Sequence, residues 1–308
     1  MTTTITQRSH LAAGIWRIAD PKITLASASS LFLGLCAAAD DGRIAWAWAL
    51  ITVLGIFFLE AAKNASGELF DFDSGADLAV RPEDRSPFSG GKRVLVDGLL
   101  TRAQTAGAAL VFYLLGCVAG FLVVGVREPR VLLIGAIGVA LAFFYHAPPL
   151  RLSYRGLGEL AVALAYGPLI ACGAYLVQRG TVSRTVVLAS VPLGLLIAAF
   201  LWINEFPDCE ADRSAGKRTL VVRLGRPAAS KVFAAIVIGA FAVLAILPAF
   251  GAPFGIWGGF LGLPLAVKAA FRLRQEPEVT AQIIPAQEWT LLSFLLFAAG
   301  AGAGLLLS

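Results

Sequence analysis

Two short stretches of this chain gather carboxylates at the ends of apolar segments. The first reads Asn64-Ala-Ser-Gly-Glu68-Leu-Phe-Asp71-Phe-Asp73-Ser-Gly-Ala-Asp77. The second reads Asn204-Glu205-Phe-Pro-Asp208-Cys-Glu-Ala-Asp212 and runs directly into Arg213-Ser-Ala-Gly-Lys217-Arg218-Thr219. Asn204, Asp208 and Asp212 are spaced i, i+4, i+8, and Asn64, Glu68 and Asp71 are spaced i, i+4, i+7. On a helix each set shares one face. A basic pair follows each cluster, Lys92-Arg93 and Lys217-Arg218. Carboxylates beside a membrane bind hard cations, and Mg²⁺ held by few carboxylates completes its shell with phosphate oxygens. The chemistry that fits is ionisation of a lipid diphosphate. The metal bridges the oxygens of the leaving group, while Lys and Arg neutralise the charge that grows as the C–O bond breaks. An allylic diphosphate would leave a resonance-stabilised carbocation, which an apolar bundle shields from water and aromatic faces stabilise.

The elements that must carry these clusters are membrane helices. Of 308 residues, 58% are hydrophobic and 15% charged, with a mean hydropathy of +0.78. Soluble domains are about half apolar and a quarter charged. Nine helix-length apolar runs are expected, at about 22–39, 43–63, 103–126, 130–146, 157–178, 184–204, 229–249, 253–271 and 288–307. Each approaches the ~20 residues that cross a hydrocarbon core. Strict apolar/polar alternation is missing, which disfavours a β-barrel. The expected fold class is therefore all-α, a bundle of nine transmembrane helices around a central cavity opening near the cytoplasmic side.

Nine spans divide the connections into two sets. Arg43, Arg127, Arg130, Arg179 and Arg184 fall on one side, and the other 20 of the 25 Lys and Arg residues fall on the opposite side. By the positive-inside rule the N-terminus is expected in the cytoplasm, the C-terminus outside, and both acidic clusters on the cytoplasmic side of the cell (inner) membrane. The first twenty residues do not read as a cleavable signal peptide. Cys36, Cys117, Cys172 and Cys209 lack metal-binding spacing, and two histidines argue against a zinc or haem site.

One membrane-embedded domain, 1–308, is expected, with two pseudo-equivalent halves of about 1–128 and 129–308. In each half an acidic helix end precedes a basic loop containing glycine. The longest polar stretch, roughly 71–102, reads as a lid with some structure. A third polar patch, Tyr145-His146-Ala-Pro-Pro-Leu-Arg151-Leu-Ser-Tyr154-Arg155-Gly-Leu-Gly-Glu159, lies on the same side. A carboxylate at the centre of a membrane helix costs ~2.5–3.5 kcal/mol, and less near the interface. Eight of the twenty acidic residues nevertheless occupy the two short windows, and solubility alone does not require that.

The repeated Asn-x-x-x-Asp-x-x-x-Asp pattern on membrane helices resembles the UbiA-type intramembrane prenyltransferases, and the resemblance covers essentially the whole chain. Asp208-x-x-x-Asp212-Arg-x-Ala-Gly-Lys217-Arg218-Thr219-Leu-x-Val-Arg223-Leu-Gly225 and Tyr154-Arg155-Gly156-Leu-Gly158-Glu159 are similar to the menaquinone-pathway branch, which prenylates 1,4-dihydroxy-2-naphthoate. The resemblance implies Mg²⁺ as cofactor, with Glu68, Asp71, Asp77, Asp208 and Asp212 as metal ligands. Asp71, Asp208, Asp212 and Lys217 would carry the chemical step. It also implies that Asn64, Arg17, Lys92, Arg93, Arg218, Asn204, Tyr145, Tyr154 and Arg155 contact the substrates. Two departures stand out. The family usually has Asn-Asp three residues before the Asp at position 71, where this chain has Gly67-Glu68, leaving Asn64 as a possible substitute for the amide. The usual second Asn pair is here Asn204-Glu205, and a kink at Pro207 would displace Asp208 from Asn204.

The expected partners are a polyprenyl diphosphate, a small aromatic acceptor and the lipid bilayer, with no nucleic acid and no obligate protein partner. The same donor could serve a hydroxybenzoate, homogentisate, glycerol phosphate or sugar phosphate acceptor. A cation or organic-anion transporter is the reading from another class. It would place charges near span midpoints and polar residues toward the outer side.

Overall fold

The computed structural model describes residues 2–307, with side chains described except those of residues 2–9 and 21–23. Arg8 and Lys22, both counted in the charge distribution, lie outside the described side chains. The helices are α1 (Thr2–Ala19), α2 (Pro21–Asp40), α3 (Trp46–Ser74), α4 (Arg102–Val126), α5 (Val131–Phe144), α6 (Gly158–Arg179), α7 (Arg184–Ser214), α8 (Arg226–Phe250), α9 (Phe254–Gln275) and α10 (Thr280–Leu306). Among the described residues there is no strand. Seven of these helices, α3, α4 and α6 to α10, are long and apolar enough to cross a membrane. Two of the nine expected spans do not meet that measure on their own. The first, 22–39, falls in α2, which meets the measure only together with α1 across a 46° break. The fourth, α5, has 14 residues, about 21 Å at helical rise, shorter than a hydrocarbon core.

The larger difference lies at the two acidic motifs. The apolar runs end near residues 63 and 204, but the helices do not stop there. Both α3 and α7 continue for about three more turns, so both carboxylate sets stand on helix faces. Each stops at a backbone signal. Gly75 takes a left-handed conformation, φ 82°, that suits glycine, and Gly216 follows α7 with φ 76°. Pro207 does not interrupt α7, which is helical on both sides of it. The guanidinium of buried Arg226 donates to the carbonyls of Phe206, at 2.9 Å, and Pro207, at 3.5 Å, and ties α7 to the start of α8.

Burial ranks the helices. In its apolar window α7 is 72% enclosed, whereas α4 is 17% enclosed and faces lipid along most of its surface. Phe206, Phe233, Phe294 and Phe297 are fully buried around α7, α8 and α10. The first part of α9, Phe254–Gly262, is wound as a 3-10 helix. Its Gly258 lies so close to the Gly300 carbonyl of α10 that neither position has room for a Cβ, the small-residue contact that membrane helices use.

The segment 75–101 folds back over the ends of α3 and α7. It contains a short turn at Ala76–Ala79, a 3-10 turn at Pro82–Asp84 and a bridge between Ser86 and Ser89. Asp84 ties it to α10 through the Thr280 hydroxyl, at 3.0 Å, and is itself held by Arg81 at 2.7 Å.

Candidate active site

The overrun of α3 and α7 puts their carboxylates on opposite walls of one polar cavity. Nine of the residues expected at the site line it: Asn64, Glu68 and Asp71 from α3, Asn204, Asp208 and Asp212 from α7, and Lys92, Tyr145 and Lys217 from the connections. At its centre Lys217 Nζ lies 2.9 Å from Asp71 Oδ2 and 3.4 Å from Asp212 Oδ1, so one ammonium bridges both helices. Burial works against the charge on Lys217, but Asp212 and Asp71 outweigh it and hold the group well above the usual lysine range. The Tyr154 hydroxyl donates to Asp71 Oδ1 at 2.7 Å and stands 2.8 Å from Ser74 Oγ, and its ring lies 5.1 Å from Lys217 Nζ. Burial, and then Asp71, push that phenol up to about 12, so it stays protonated and able to donate.

The lid is built onto the same carboxylates. Glu68 accepts from the backbone N–H groups of Lys92 (2.5 Å) and Arg93 (2.9 Å) through Oε1 and of Val94 (2.8 Å) through Oε2. Glu68 therefore anchors the loop, with both oxygens engaged by its backbone N–H groups. Asp208 Oδ2 accepts from the Gly90 N–H at 3.0 Å, while its Oδ1 has no hydrogen-bond partner. Asp77 lies buried beneath Gly91, its Oδ2 also without a partner, and its carboxyl is pushed up to about 8 by burial and then by Asp71 and Glu68.

Four expected substrate contacts fall elsewhere. Arg17 pairs with Asp97 at 2.6 Å on the surface. Arg93 turns outward to the Asp77 carbonyl and Asp97, both at 3.3 Å. Arg155 and Arg218 are exposed, and the connection holds them through main-chain groups. The carbonyls of both accept from the Arg223 guanidinium, and the Arg218 N–H donates to the Tyr154 carbonyl. Their long side chains reach water more readily than a cavity already occupied by Lys217. Lys92 reaches Asp20 with its ammonium, Asn64 donates to the Ile18 carbonyl at 3.0 Å, and Asn204 accepts from Gln287 at 3.0 Å.

His146 lies outside the expected set of site residues, yet it explains the departure at Gly67. A Cβ at Gly67 would stand 2.7 Å from the His146 ring, so imidazole fills the room that a motif asparagine would take. Its Nε2 is 3.8 Å from Asp71 Oδ2 and its Nδ1 has no partner. Burial drives it down to about 4 against the pull of Asp71, leaving a neutral ring at physiological pH. Lys63 and Glu205 also line the cavity. By sequence alone Lys63 is one more topology charge. Glu60, Asn64 and Glu68 continue one helical face at i, i+4, i+8, and that periodicity is the signal that extends the site along α3.

Comparisons with known proteins give the family and the fold. The UbiA prenyltransferase family model matches residues 27–294. The chain belongs to the UbiA prenyltransferase family. It is a membrane prenyltransferase with several spans. It is similar to the 1,4-dihydroxy-2-naphthoate octaprenyltransferases of Escherichia coli, 28% identical over 91% of this chain and 92% of the relative, and of Bacillus subtilis, 24% identical over 99% and 96%. A 2-carboxy-1,4-naphthoquinone phytyltransferase from Synechocystis is 34% identical over 63% of this chain and 62% of its own length. In fold the chain matches a UbiA homologue from Archaeoglobus fulgidus bound to DMAPP and Mg²⁺, with a TM-score of 0.67, 16% identity and coverage of 95% and 98%. It also matches the apo UbiA homologue from Aeropyrum pernix, with a TM-score of 0.63, 20% identity and coverage of 90% and 96%.

If Glu68 anchors the lid, Glu68→Ala removes three hydrogen bonds to a charged acceptor, each worth about 1.5–3 kcal/mol. Trypsin cleavage after Lys92 and Arg93 in the detergent-solubilised protein is then expected to accelerate on the order of tenfold or more. An unchanged cleavage rate would show that the loop is held by something else.

Proposed function

We propose that this prenyltransferase moves a polyprenyl group from an allylic diphosphate to an aromatic acceptor, 1,4-dihydroxy-2-naphthoate, with Mg²⁺ as cofactor. The observation that carries the reading is the pairing of Asp71 and Asp212 across Lys217, with the unpartnered oxygens of Asp77 and Asp208 beside them. The donor set fits Mg²⁺, because the oxygens are hard and several face one cavity. Among the described residues no three carboxylate, imidazole or thiol groups come together as a ready-made metal cage. Mg²⁺ is commonly held by one or two carboxylates with substrate phosphates completing the shell, so a site that closes around the donor suits the ion.

In this reading Asp71, Asp77, Asp208 and Asp212 would hold the ion. When bound, Mg²⁺ neutralises the diphosphate and disperses the charge that develops on it. Lys217 has a third N–H beyond the two directed at Asp71 and Asp212, and gives it to the leaving group. Lys92 closes over the diphosphate from the lid, while the Gly90 N–H keeps Asp208 in place and Tyr154 does the same for Asp71. Asn64 and Asn204 hold the helix faces in register through Ile18 and Gln287. The prenyl tail runs into an apolar cavity between α3, α4, α5 and α6, which shares Lys63 and Tyr145 with the polar one. That cavity excludes water from the cation as the bond breaks. The names of the relatives support a naphthoate acceptor, whose own carboxylate leaves as CO₂ in the exchange.

The chain is read as one domain of two pseudo-equivalent halves in the inner membrane, with the N-terminus cytoplasmic, the C-terminus outside and the site on the cytoplasmic side. The 20-to-5 division of basic residues supports that orientation. Neither nucleic acid nor an obligate protein partner enters the reading.

Membranes carrying the protein, given labelled geranylgeranyl diphosphate, Mg²⁺ and a panel of acceptors, are expected to yield a prenylated naphthol by mass spectrometry. Asp208→Ala should lower the yield at least ~100-fold, in line with the loss of a group that stabilises developing charge. Equal yields from wild type and Asp208→Ala would refute the two-cluster mechanism. Single cysteines at positions 92 and 217 are expected to label from the same, cytoplasmic side, and labelling from opposite sides would break the shared site.

A further inference from the structure

About two turns deeper along α3 a second polar group interrupts the apolar bundle. Glu60 is 6% exposed and accepts from the Ser27 hydroxyl at 2.7 Å through Oε2, leaving Oε1 without a hydrogen-bond partner. Lys63 Nζ meets the Tyr166 hydroxyl at 3.4 Å and lies 5.6 Å and 5.7 Å from the ring centroids of Tyr145 and Tyr166. Tyr166 is set there by a π-helical turn in α6, Ala165–Leu169, which contains Pro168. The Ser30 hydroxyl donates to the Tyr166 carbonyl and steadies that turn. Turns of this kind occur inside helices mostly at functional sites.

Two ionisable side chains in a membrane span, one with an unpartnered oxygen and one with N–H groups to spare, are costly as packing. Their placement gives them a use. Both line the apolar cavity, and Lys63 with Tyr145 also lines the diphosphate cavity. They stand where the two cavities join. A donor with its diphosphate on Lys217 and its chain in the apolar cavity would present its reacting carbon at this junction.

We propose that Glu60 and Lys63 form the acceptor site and select a hydroxyarene that carries a carboxylate. The inference rests on the prenyl-transfer reading and deepens it. The Lys63 ammonium receives the arene carboxylate. Glu60 Oε1 accepts a hydrogen bond from a ring hydroxyl, which raises electron density on the ring toward the allylic cation. The Tyr145 and Tyr166 rings flank the arene, and Tyr166 is a positioning residue that acts through Lys63.

The test uses the full chain in lipid nanodiscs with geranylgeranyl diphosphate, Mg²⁺ and two probes, 1,4-dihydroxy-2-naphthoate and 1,4-dihydroxynaphthalene, which lacks the carboxylate. Wild type is expected to show a KM at least about tenfold lower for the carboxylated probe, the scale of one charged hydrogen bond. Lys63→Met should erase that preference, and Lys63→Arg should restore most of it. Glu60→Gln should lower kcat about tenfold or more with both probes while leaving the donor KM in place. Binding of a non-hydrolysable geranylgeranyl thiolodiphosphate checks that each variant is folded. Equal KM values for the two probes in wild type overturn the proposal without any variant, as does a carboxylate preference that survives in folded Lys63→Met. A wild type that releases no diphosphate with either probe overturns the prenyl-transfer reading itself, a result distinct from loss of acceptor selection alone.

Discussion

Negative charge held in an apolar bundle is the constraint on which this molecule depends. Asp71, Asp208 and Asp212 cannot stand together in a membrane protein without a counter-charge, and Lys217 supplies the one that touches both helices. The ammonium draws α3 and α7 together at their motif-bearing ends, and the connection after α7 must turn back at Gly216 to deliver it. Removing Lys217 would leave two buried carboxylates unpaired, a loss of about 3–5 kcal/mol on the scale of broken buried pairs. The remaining unpartnered oxygens mark a site still short of positive charge, the condition in which a cation arriving with a diphosphate is held by both.

The lid and the deeper constellation follow from the same charge. Glu68 takes three backbone N–H groups of the 92–94 segment, so the loop closes on α3 through a carboxylate as well as through the apolar packing of Val94 and Leu100 on Ala61 and Ala65. Asp208 holds the loop at Gly90 by one oxygen only, which ties lid position to whatever else binds that carboxylate. Further along α3 the helix face that begins at Glu60 brings polar groups into contact with the apolar cavity. The π-turn in α6 aims Tyr166 at them. In the proposed reading one helix thus connects leaving-group chemistry at its end with acceptor chemistry in its middle.

Much of this is legible from the residues. The acidic windows, their basic followers and the helix-length apolar runs lead to a helical membrane prenyltransferase and to about half of the cavity wall. The misreadings have physical causes. Apolar runs mark where a helix meets lipid, not where it ends, so α3 and α7 outlast them. A proline at position 207 suggests an interruption of α7, but the helix runs through it. The resemblance makes Arg17, Arg93, Arg155 and Arg218 substrate contacts, whereas in this structure Arg17 and Arg93 pair with Asp97 and the other two are exposed. The space left by Gly67 is filled from a distant segment by His146, a tertiary replacement that no local spacing could reveal.

The central claim is that the carboxylates of α3 and α7 act on one ligand. The most direct measurement is a double-mutant cycle on Mg²⁺-dependent binding of geranylgeranyl thiolodiphosphate, with Asp71→Asn, Asp208→Asn and the pair. A shared site predicts that the double variant loses less affinity than the two single losses combined, with a coupling of about 1 kcal/mol or more. Losses that add within about 0.5 kcal/mol would mean that the two clusters act independently, and would contradict the account.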